Sequence, residues 1–275
     1  MPELPEVETI RRVIEPQMIG QKIQNVIINH PQVIACPSSD EFCHKLTEEQ
    51  IESISRRGKF LIIHTTQYNI TLHLRMTGRL LVTPSDYEME KHTHVIIRME
   101  NGKELRFIDS RRFGRFWLLN KKEEDQITGI HKLGLEPFDS ALTAEYLQRI
   151  CIRKRKTIKE CLLDQTMVAG IGNIYADEIL FRIKIHPRRR ANSLDLAEFE
   201  CLAAEIPKAL HYYIEKNAIK EEDYLREKGK EYRNTPYLRV YGHGGEPCPV
   251  CGQTLKKIVI SGRGSVYCSG CQGEI

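Results

Sequence analysis

Apolar residues near the start of the chain lie on a helical stripe. Val7, Ile10, Val13 and Ile14 recur at spacings of three and four, with Arg11 and Arg12 off the stripe. The pattern predicts a short helix over residues 3–15. Pro5 suits its first turn, Glu6 and Glu8 complement its positive end, and Pro16 should stop it. From about residue 20 to 120 the period shortens to a partial alternation rich in Ile, Leu and Thr, as in QKIQNVIINH and KFLIIHTTQYNITLHLRM. HVIIRMENGKELRFID reads as two strands around Asn101-Gly102, a dipeptide that favours the positive φ angles of a type I′ hairpin turn. Many short strands with few helices predict a sandwich or barrel-like pair of sheets.

HKLGLEPFDSALTAEY is interrupted by glycine and proline and reads as a crossing segment. Helical periodicity then dominates residues 141–220, through TIKECLLDQ, NIYADEILFRI and SLDLAEFECLAAEIPKALHYYIEK. The polar, punctuated stretch AIKEEDYLREKGKEYRNTP reads as a mobile loop, and a compact C-terminal module follows it.

At 275 residues the chain has room for two domains. It contains no run of about 18 apolar residues, which excludes a transmembrane helix. The N-terminus lacks the basic and apolar regions of a secretion signal, so a cytosolic setting is expected. A net charge of +4 does not by itself identify a nucleic-acid binder, but its distribution says more. Arg149, Arg153, Lys154, Arg155, Lys156 and Lys159 form one cluster, and Arg188, Arg189 and Arg190 another. Such runs suit a polyanion or, equally, the solvated ends of helices.

Nine cysteines divide unevenly. Five are scattered, while Cys248, Cys251, Cys268 and Cys271 form C-x2-C-x16-C-x2-C. Four thiolates at this spacing can close a tetrahedral Zn²⁺ site with no open position, so one structural zinc is expected rather than a Lewis acid. TLKKIVISGRGSVY, between the pairs, reads as strand, glycine-rich turn and strand. Zinc would clamp the base of that hairpin, with Arg263 at its tip between Gly262 and Gly264. On local grounds Arg263 is an exposed turn residue. LLDQTMVAGIGNIYADEIL joins two helices through a turn holding Gly170 and Gly172, and Asn173 stands where an N-cap belongs. A helix start flanked by glycines can also hold a phosphate.

Four features therefore occur in order: MPELPEVET, HLRMTG with DSRRFGRF, LLDQTMVAGIGNIYADEILFR with KIHP, and the cysteine hairpin with SGRG. Together they resemble the bacterial formamidopyrimidine-DNA glycosylase family over almost the whole chain, Met1 to Cys271. The resemblance implies an α+β multidomain fold: an N-terminal β-sandwich with a leading helix, then a helix–two-turns–helix domain with a β-hairpin zinc finger. The expected divisions are 1–131 (catalytic), 132–148 (linker), 149–236 (helix–two-turns–helix) and 237–275 (zinc finger). It implies a monomer that binds damaged double-stranded DNA in a basic cleft, removes 8-oxoguanine and formamidopyrimidines, and cleaves the abasic site by β,δ-elimination.

Residue by residue, the resemblance places the nucleophile on Pro2, exposed when Met1 is removed. A free secondary amine can form an iminium without a lysine. Glu3 falls on the proton-shuttling acid, and Glu6 on a second acid that supports the site. Lys59 corresponds to a lysine on the lesion phosphate, and Arg263 to an arginine on the flipped nucleotide's phosphates, associated with δ-elimination. Asn173, His92, Arg111 and Arg155 match DNA contacts. Met76, Arg111 and Phe113 match the side chains that fill the space left by the extruded base. By composition alone Met76 and Phe113 would be core residues.

The sequence departs from the family pattern at two places. No base-capping Gly-Gly-Ser/Thr motif aligns within residues 217–236, and Thr93 stands where the family commonly has Asp. Two alternatives follow: an endonuclease VIII-type enzyme for oxidised pyrimidines, and a non-catalytic protein that binds damaged DNA. The retention of Pro2, Glu3, Lys59 and Arg263 argues against the second.

Overall fold

The computed structural model describes residues 1–123, 125–152, 154–230 and 235–274. Arg153, in the first basic cluster, and residues 231–234, in the expected loop, lie outside them. The chain divides into two compact units, Met1–His131 with Asn217–Arg233, and Lys132–Lys216 with Asn234–Ile275.

The first unit opens with helix α1 (Leu4–Met18). Then come β1 (Ile23–Ile28), β2 (Ile34–Cys36), α2 (Ser39–Leu46), β3 (Ile51–Arg57), β4 (Phe60–Thr65), β5 (Tyr68–His73), β6 (Arg79–Pro84), β7 (Thr93–Met99), β8 (Lys103–Ile108) and β9 (Arg115–Asn120). These strands make a four-stranded sheet, β1-β7-β8-β6, and a five-stranded sheet, β2-β9-β5-β4-β3. The short β2 runs parallel to β9, and the other pairings are antiparallel. Ile54, Ile63, Leu72, Val95, Ile97, Leu105 and Phe107 meet the α1 stripe of Val7, Ile10, Ile14 and Met18 in one core. The expected pair of sheets with a leading helix is therefore present.

Three local expectations fail. Pro16 does not end α1, which continues to Met18. Although the ring removes its own N–H and crowds the carbonyl four residues back, the Ile19 N–H still bonds to the Glu15 carbonyl and Met18 is fully buried. The Asn101-Gly102 turn is not type I′, because only Gly102 has positive φ. Asn101 instead accepts the Lys103 N–H through its side chain at 3.0 Å. Helix α2 was hidden in the strand-rich region, although Ser38 and Glu41 carry a start signal: the Ser38 hydroxyl accepts the Glu41 N–H.

The second unit contains α3 (Ala144–Cys151), α4 (Ile158–Leu163), α5 (Asn173–Arg182) and α6 (Leu196–Lys216) around a core that includes Leu147, Ile171, Tyr175, Ile179 and Leu210. The chain then gives α7 (Glu221–Arg226) to the first unit. This corrects the expected loop. Tyr224 is buried, and its hydroxyl donates to the Leu80 carbonyl at 3.0 Å. Back in the second unit, β10 (Lys256–Ile260), β11 (Arg263–Tyr267) and the short α8 (Ser269–Gln272) complete the chain. The buried Glu178 of α5 ties this module down. Its carboxylate accepts the Tyr213 hydroxyl at 2.6 Å and the N–H groups of Arg239, Val240 and Tyr241.

Candidate active site and metal centre

In the first unit the chain starts with an exposed Met1, after which Pro2 and Glu3 are buried. Glu3 is the N-cap of α1, and its N–H donates to Glu6 Oε2 at 2.9 Å. Asn217 Nδ2 lies 3.4 Å from Glu6 Oε1. Glu6 thus fixes the backbone beside Pro2 and Glu3. Arg56 of β3 approaches Glu8 at 3.4 Å. Burial pushes the Glu8 carboxyl up, but Arg11, Arg12 and Arg56 outweigh it and hold it below the usual carboxylate range.

Lys59 occupies the two-residue turn between β3 and β4, after Gly58 with φ +55°, and is buried. His73 ends β5 opposite Phe60, and its ring meets the Phe60 ring edge-on at 4.8 Å. Its Nδ1 accepts the Arg75 N–H at 2.9 Å. Burial, then the charges of Arg75 and Lys59, push its pKa down to about 3. The imidazole is therefore neutral and carries its proton on Nε2, a donor beside a cation. His73 lies within the HLRMTG motif, yet its type alone carried no sign of this role.

Met76 and Phe113 are 39% and 46% exposed, so neither is a core residue. The Arg111 guanidinium lies over the Phe113 ring, 4.7 Å from its centroid. One buried carboxylate, which the sequence reading did not single out, organises these loops. Asp109 accepts the Thr77 hydroxyl, the Arg111 N–H at 3.2 Å and the Gly114 N–H at 2.8 Å. Its own N–H donates to the His92 carbonyl at 3.1 Å, and its carbonyl contacts His94 Nε2 at 2.8 Å. The loops bearing Met76, His92, Arg111 and Phe113 are therefore joined through one residue. Gly114 has to be glycine, because a Cβ there would sit 2.3 Å from Phe107 Cζ.

In the second unit Gln165 shapes the turn before α5. Its side chain donates to the carbonyl of Ile171 at 2.7 Å and accepts the Gly170 N–H at 2.9 Å. Gly172, not Asn173, is the N-cap. Asn173 Nδ2 instead donates to the Gly264 carbonyl at 2.9 Å, and its buried Oδ1 has no hydrogen-bond partner among the described residues. Asn173 is thus bound to the hairpin that carries Arg263. That hairpin turns through Ser261 and Gly262, at φ +47° and +74°, and the exposed Arg263 opens β11 just past the tip. Arg155 is exposed, and its carbonyl is bonded to the Arg190 side chain. Lys154 pairs with Asp164 at 3.0 Å, so the basic run is not wholly free charge.

Beneath the hairpin lies a buried ion pair. Lys159 Nζ is 2.6 Å from Asp177 Oδ1 and donates to Ser265 Oγ at 2.6 Å. Asp177 Oδ2 accepts the Val266 N–H at 3.0 Å. Burial pushes the Asp177 carboxyl up to about 6 against the pull of Lys159.

The four module cysteines bring their sulfurs within 4.8 Å of one another. Cys248 lies 3.8 Å from Cys271, and Cys251 lies 3.3 Å from Cys268. Four soft donors converging from two knuckles fit one Zn²⁺ and fill its tetrahedral shell. A metal held this way supplies folding free energy to the hairpin base and no reactive position.

Comparison with known proteins gives matches along most of the chain. Residues 1–116 match the formamidopyrimidine-DNA glycosylase N-terminal domain, residues 133–223 its H2TH domain, and residues 245–273 a zinc finger found in FPG and IleRS. A formamidopyrimidine-DNA glycosylase of Desulforamulus reducens is 43% identical, with 99% of both chains covered. One from Bacillus cereus is 42% identical, with 100% of both covered. The structure of the Lactococcus lactis protein in complex with FAPY-dG-containing DNA superposes with a TM-score of 0.89 at 33% identity, covering 99% of this chain and 100% of that one. The same protein bound to abasic-site DNA also gives 0.89 at 33% identity, with the same coverage.

Proposed function

We propose the following reaction on the premise that this chain belongs to the formamidopyrimidine-DNA glycosylase family, a membership carried by its full-length relatives. The protein is a base-excision repair enzyme, a DNA glycosylase with abasic-site lyase activity, and it acts on double-stranded DNA carrying damaged or missing bases. Once Met1 is removed, the Pro2 amine attacks C1′ of the damaged nucleotide and the base leaves with its bonding electrons. An unperturbed terminal amine has a pKa of about 8, so a useful fraction is unprotonated near neutrality. Glu3 carries protons at this centre. Protonation of O4′ by Glu3 breaks the C1′–O4′ bond and, with the proline nitrogen's proton lost, opens the sugar to an iminium. The iminium acidifies C2′, so that the 3′-phosphate leaves and, through the conjugated product, the 5′-phosphate after it.

Lys59, joined by the neutral N–H donor of His73, holds the lesion phosphate. Asn173 and Arg263 bind phosphates from the second unit, and His92, Arg111 and Arg155 supply further DNA contacts. Met76, Arg111 and Phe113 fill the gap in the stack, since a base cannot be excised while stacked. The zinc ion on Cys248, Cys251, Cys268 and Cys271 holds the base of the Arg263 hairpin. We assign residues 1–131 to a catalytic domain, 132–148 to a linker whose last residues begin α3, 149–236 to the helix–two-turns–helix domain, from which α7 crosses to pack in the first unit, and 237–275 to the zinc finger. No helix among the described residues is long and apolar enough to cross a membrane. We place the protein, as a monomer, in the bacterial cytosol.

The observation that carries this reading is the buried Pro2–Glu3 pair fixed by Glu6 at the start of α1. Borohydride trapping on an 8-oxoguanine:C duplex tests it. Processed protein should form a covalent adduct, and blocking its terminus should abolish that adduct. No adduct from processed protein, or an undiminished one from Pro2→Gly, would overturn the assigned nucleophile. A second lesion class has support of its own, because a solved Lactococcus lactis neighbour is bound to oxidised-pyrimidine DNA. Thymine glycol and 8-oxoguanine duplexes assayed side by side rank the two classes.

A further inference from the structure

We infer that Asp177 is a positioning residue for Arg263: acting through Lys159 and the Val266 backbone, it sets the direction in which the first residues of β11 leave the hairpin turn. The inference rests on the proposed role of Arg263 in elimination.

Isolated two-stranded hairpins are marginally stable in water. This one turns at Ser261-Gly262, and the following Arg263 and Gly264 are exposed. Zinc secures only its far end, where Cys268 directly follows β11. The tip side needs a second anchor, and the ion pair provides one. Asp177 Oδ2 takes the Val266 N–H at 3.0 Å. Asp177 Oδ1 fixes Lys159 Nζ at 2.6 Å, and Lys159 donates onward to Ser265 Oγ at 2.6 Å, with the Gly264 carbonyl at 3.4 Å. Asn173 reaches the same carbonyl at 2.9 Å.

Three consecutive residues, Gly264, Ser265 and Val266, are therefore held by side chains of α4 and α5. Side chains two apart on a strand share a face. Anchoring Ser265 inward thus fixes the face from which Arg263 projects. Both members of the ion pair are fully buried. Replacing such a pair by apolar residues is often neutral or stabilising, so its presence is better accounted for by orientation than by stability.

The test uses the zinc-loaded full chain on an abasic-site duplex and resolves β-elimination ends from β,δ-elimination ends. Asp177→Asn keeps the shape but removes the charge that orders Lys159. Its conversion of β to β,δ product should slow by about tenfold, the scale expected when a reacting group is slightly misplaced. Its borohydride-trapped adduct should stay within about twofold of wild type, because groups sharing no partner act independently. In an Arg263→Ala background the same substitution should add nothing, since a residue acting through Arg263 has no second route.

An unchanged product ratio in folded, zinc-bound Asp177→Asn would overturn the inference, as would an equal loss with and without Arg263. A wild-type protein without lyase products would instead sink the proposed function, and an Arg263→Ala with normal δ-elimination would sink the role of that arginine. If Asp177→Asn does not fold, Ser265→Ala removes one anchor and keeps the ion pair. It should shift the ratio the same way, by about threefold, within the range of a lost buried hydrogen bond, and no shift there overturns the inference equally.

Discussion

Glu3, Glu6 and Glu8 fall in one short stretch, yet the structure sorts them by partner. Glu6 accepts the Glu3 N–H and Glu8 takes arginines, while Glu3, the N-cap of α1, is the acid we propose for chemistry at Pro2. Glu6→Ala should cost about 1 kcal/mol, the usual scale for a lost helix-start acceptor, and should also slow adduct formation by loosening the Pro2–Glu3 backbone. Urea denaturation and single-turnover trapping measure the two effects. A full loss of stability with unchanged trapping would show that Glu6 serves the fold alone. His73 gives a pH prediction. Its folded pKa of about 3 lies below the ordinary value of about 6.5, so the folded state resists protonation. Its contribution to stability is present above about 6.5 and is lost as the pH falls from there toward 3. His73→Gln should flatten the decline of the urea midpoint across that window, and parallel curves for the two proteins would contradict this assignment.

At the scale of elements, loops and hairpins carry the candidate groups, and buried polar side chains hold those loops. Asp109 is the clearest case. Its carboxylate accepts three donors from two loops, and nothing in DSRRFG distinguishes it from an exposed turn acid until the loops have met. Asp109→Ala leaves those donors without it and should destabilise the protein by about 2–4 kcal/mol, the sum of several buried hydrogen bonds. It should also weaken binding to a lesion duplex more than to single-stranded DNA, because Met76, Arg111 and Phe113, which we propose fill the gap in the stack, lose their register. Equal losses on both substrates would argue against that role. The zinc hairpin is the converse case, since its cysteine spacing alone specified the ligands. Removing the metal with a chelator should melt the module and reduce lyase activity, because structural zinc is folding free energy. Full activity in a metal-free sample would refute a structural role.

For the whole molecule, charge distribution matters more than net charge. DNA affinity should fall log-linearly with salt through counterion release, and Arg155→Ala should reduce the slope by about one while lowering affinity evenly across sequences. A slope unchanged from wild type would remove Arg155 from the phosphate contacts.

Long periodic segments and fixed spacings were legible in the chain alone. The α1 stripe, the strand-rich region, the helices of the second unit and the cysteine quartet each follow from local rules: side-chain period, turn residues and ligand geometry. The four ordered motifs added the family and its reaction. Tertiary structure decided what local rules leave degenerate. It carried α1 past Pro16 because Met18 packs in the core, and it made α7 a helix around one buried tyrosine. It also took Asn173 from its expected capping position to the hairpin backbone, neutralised His73, and gave Asp109 and Asp177 their partners. The physical reason is common to all of these. Burial and a partner distant in sequence set what a polar side chain does, and neither is written in the residue or its neighbours.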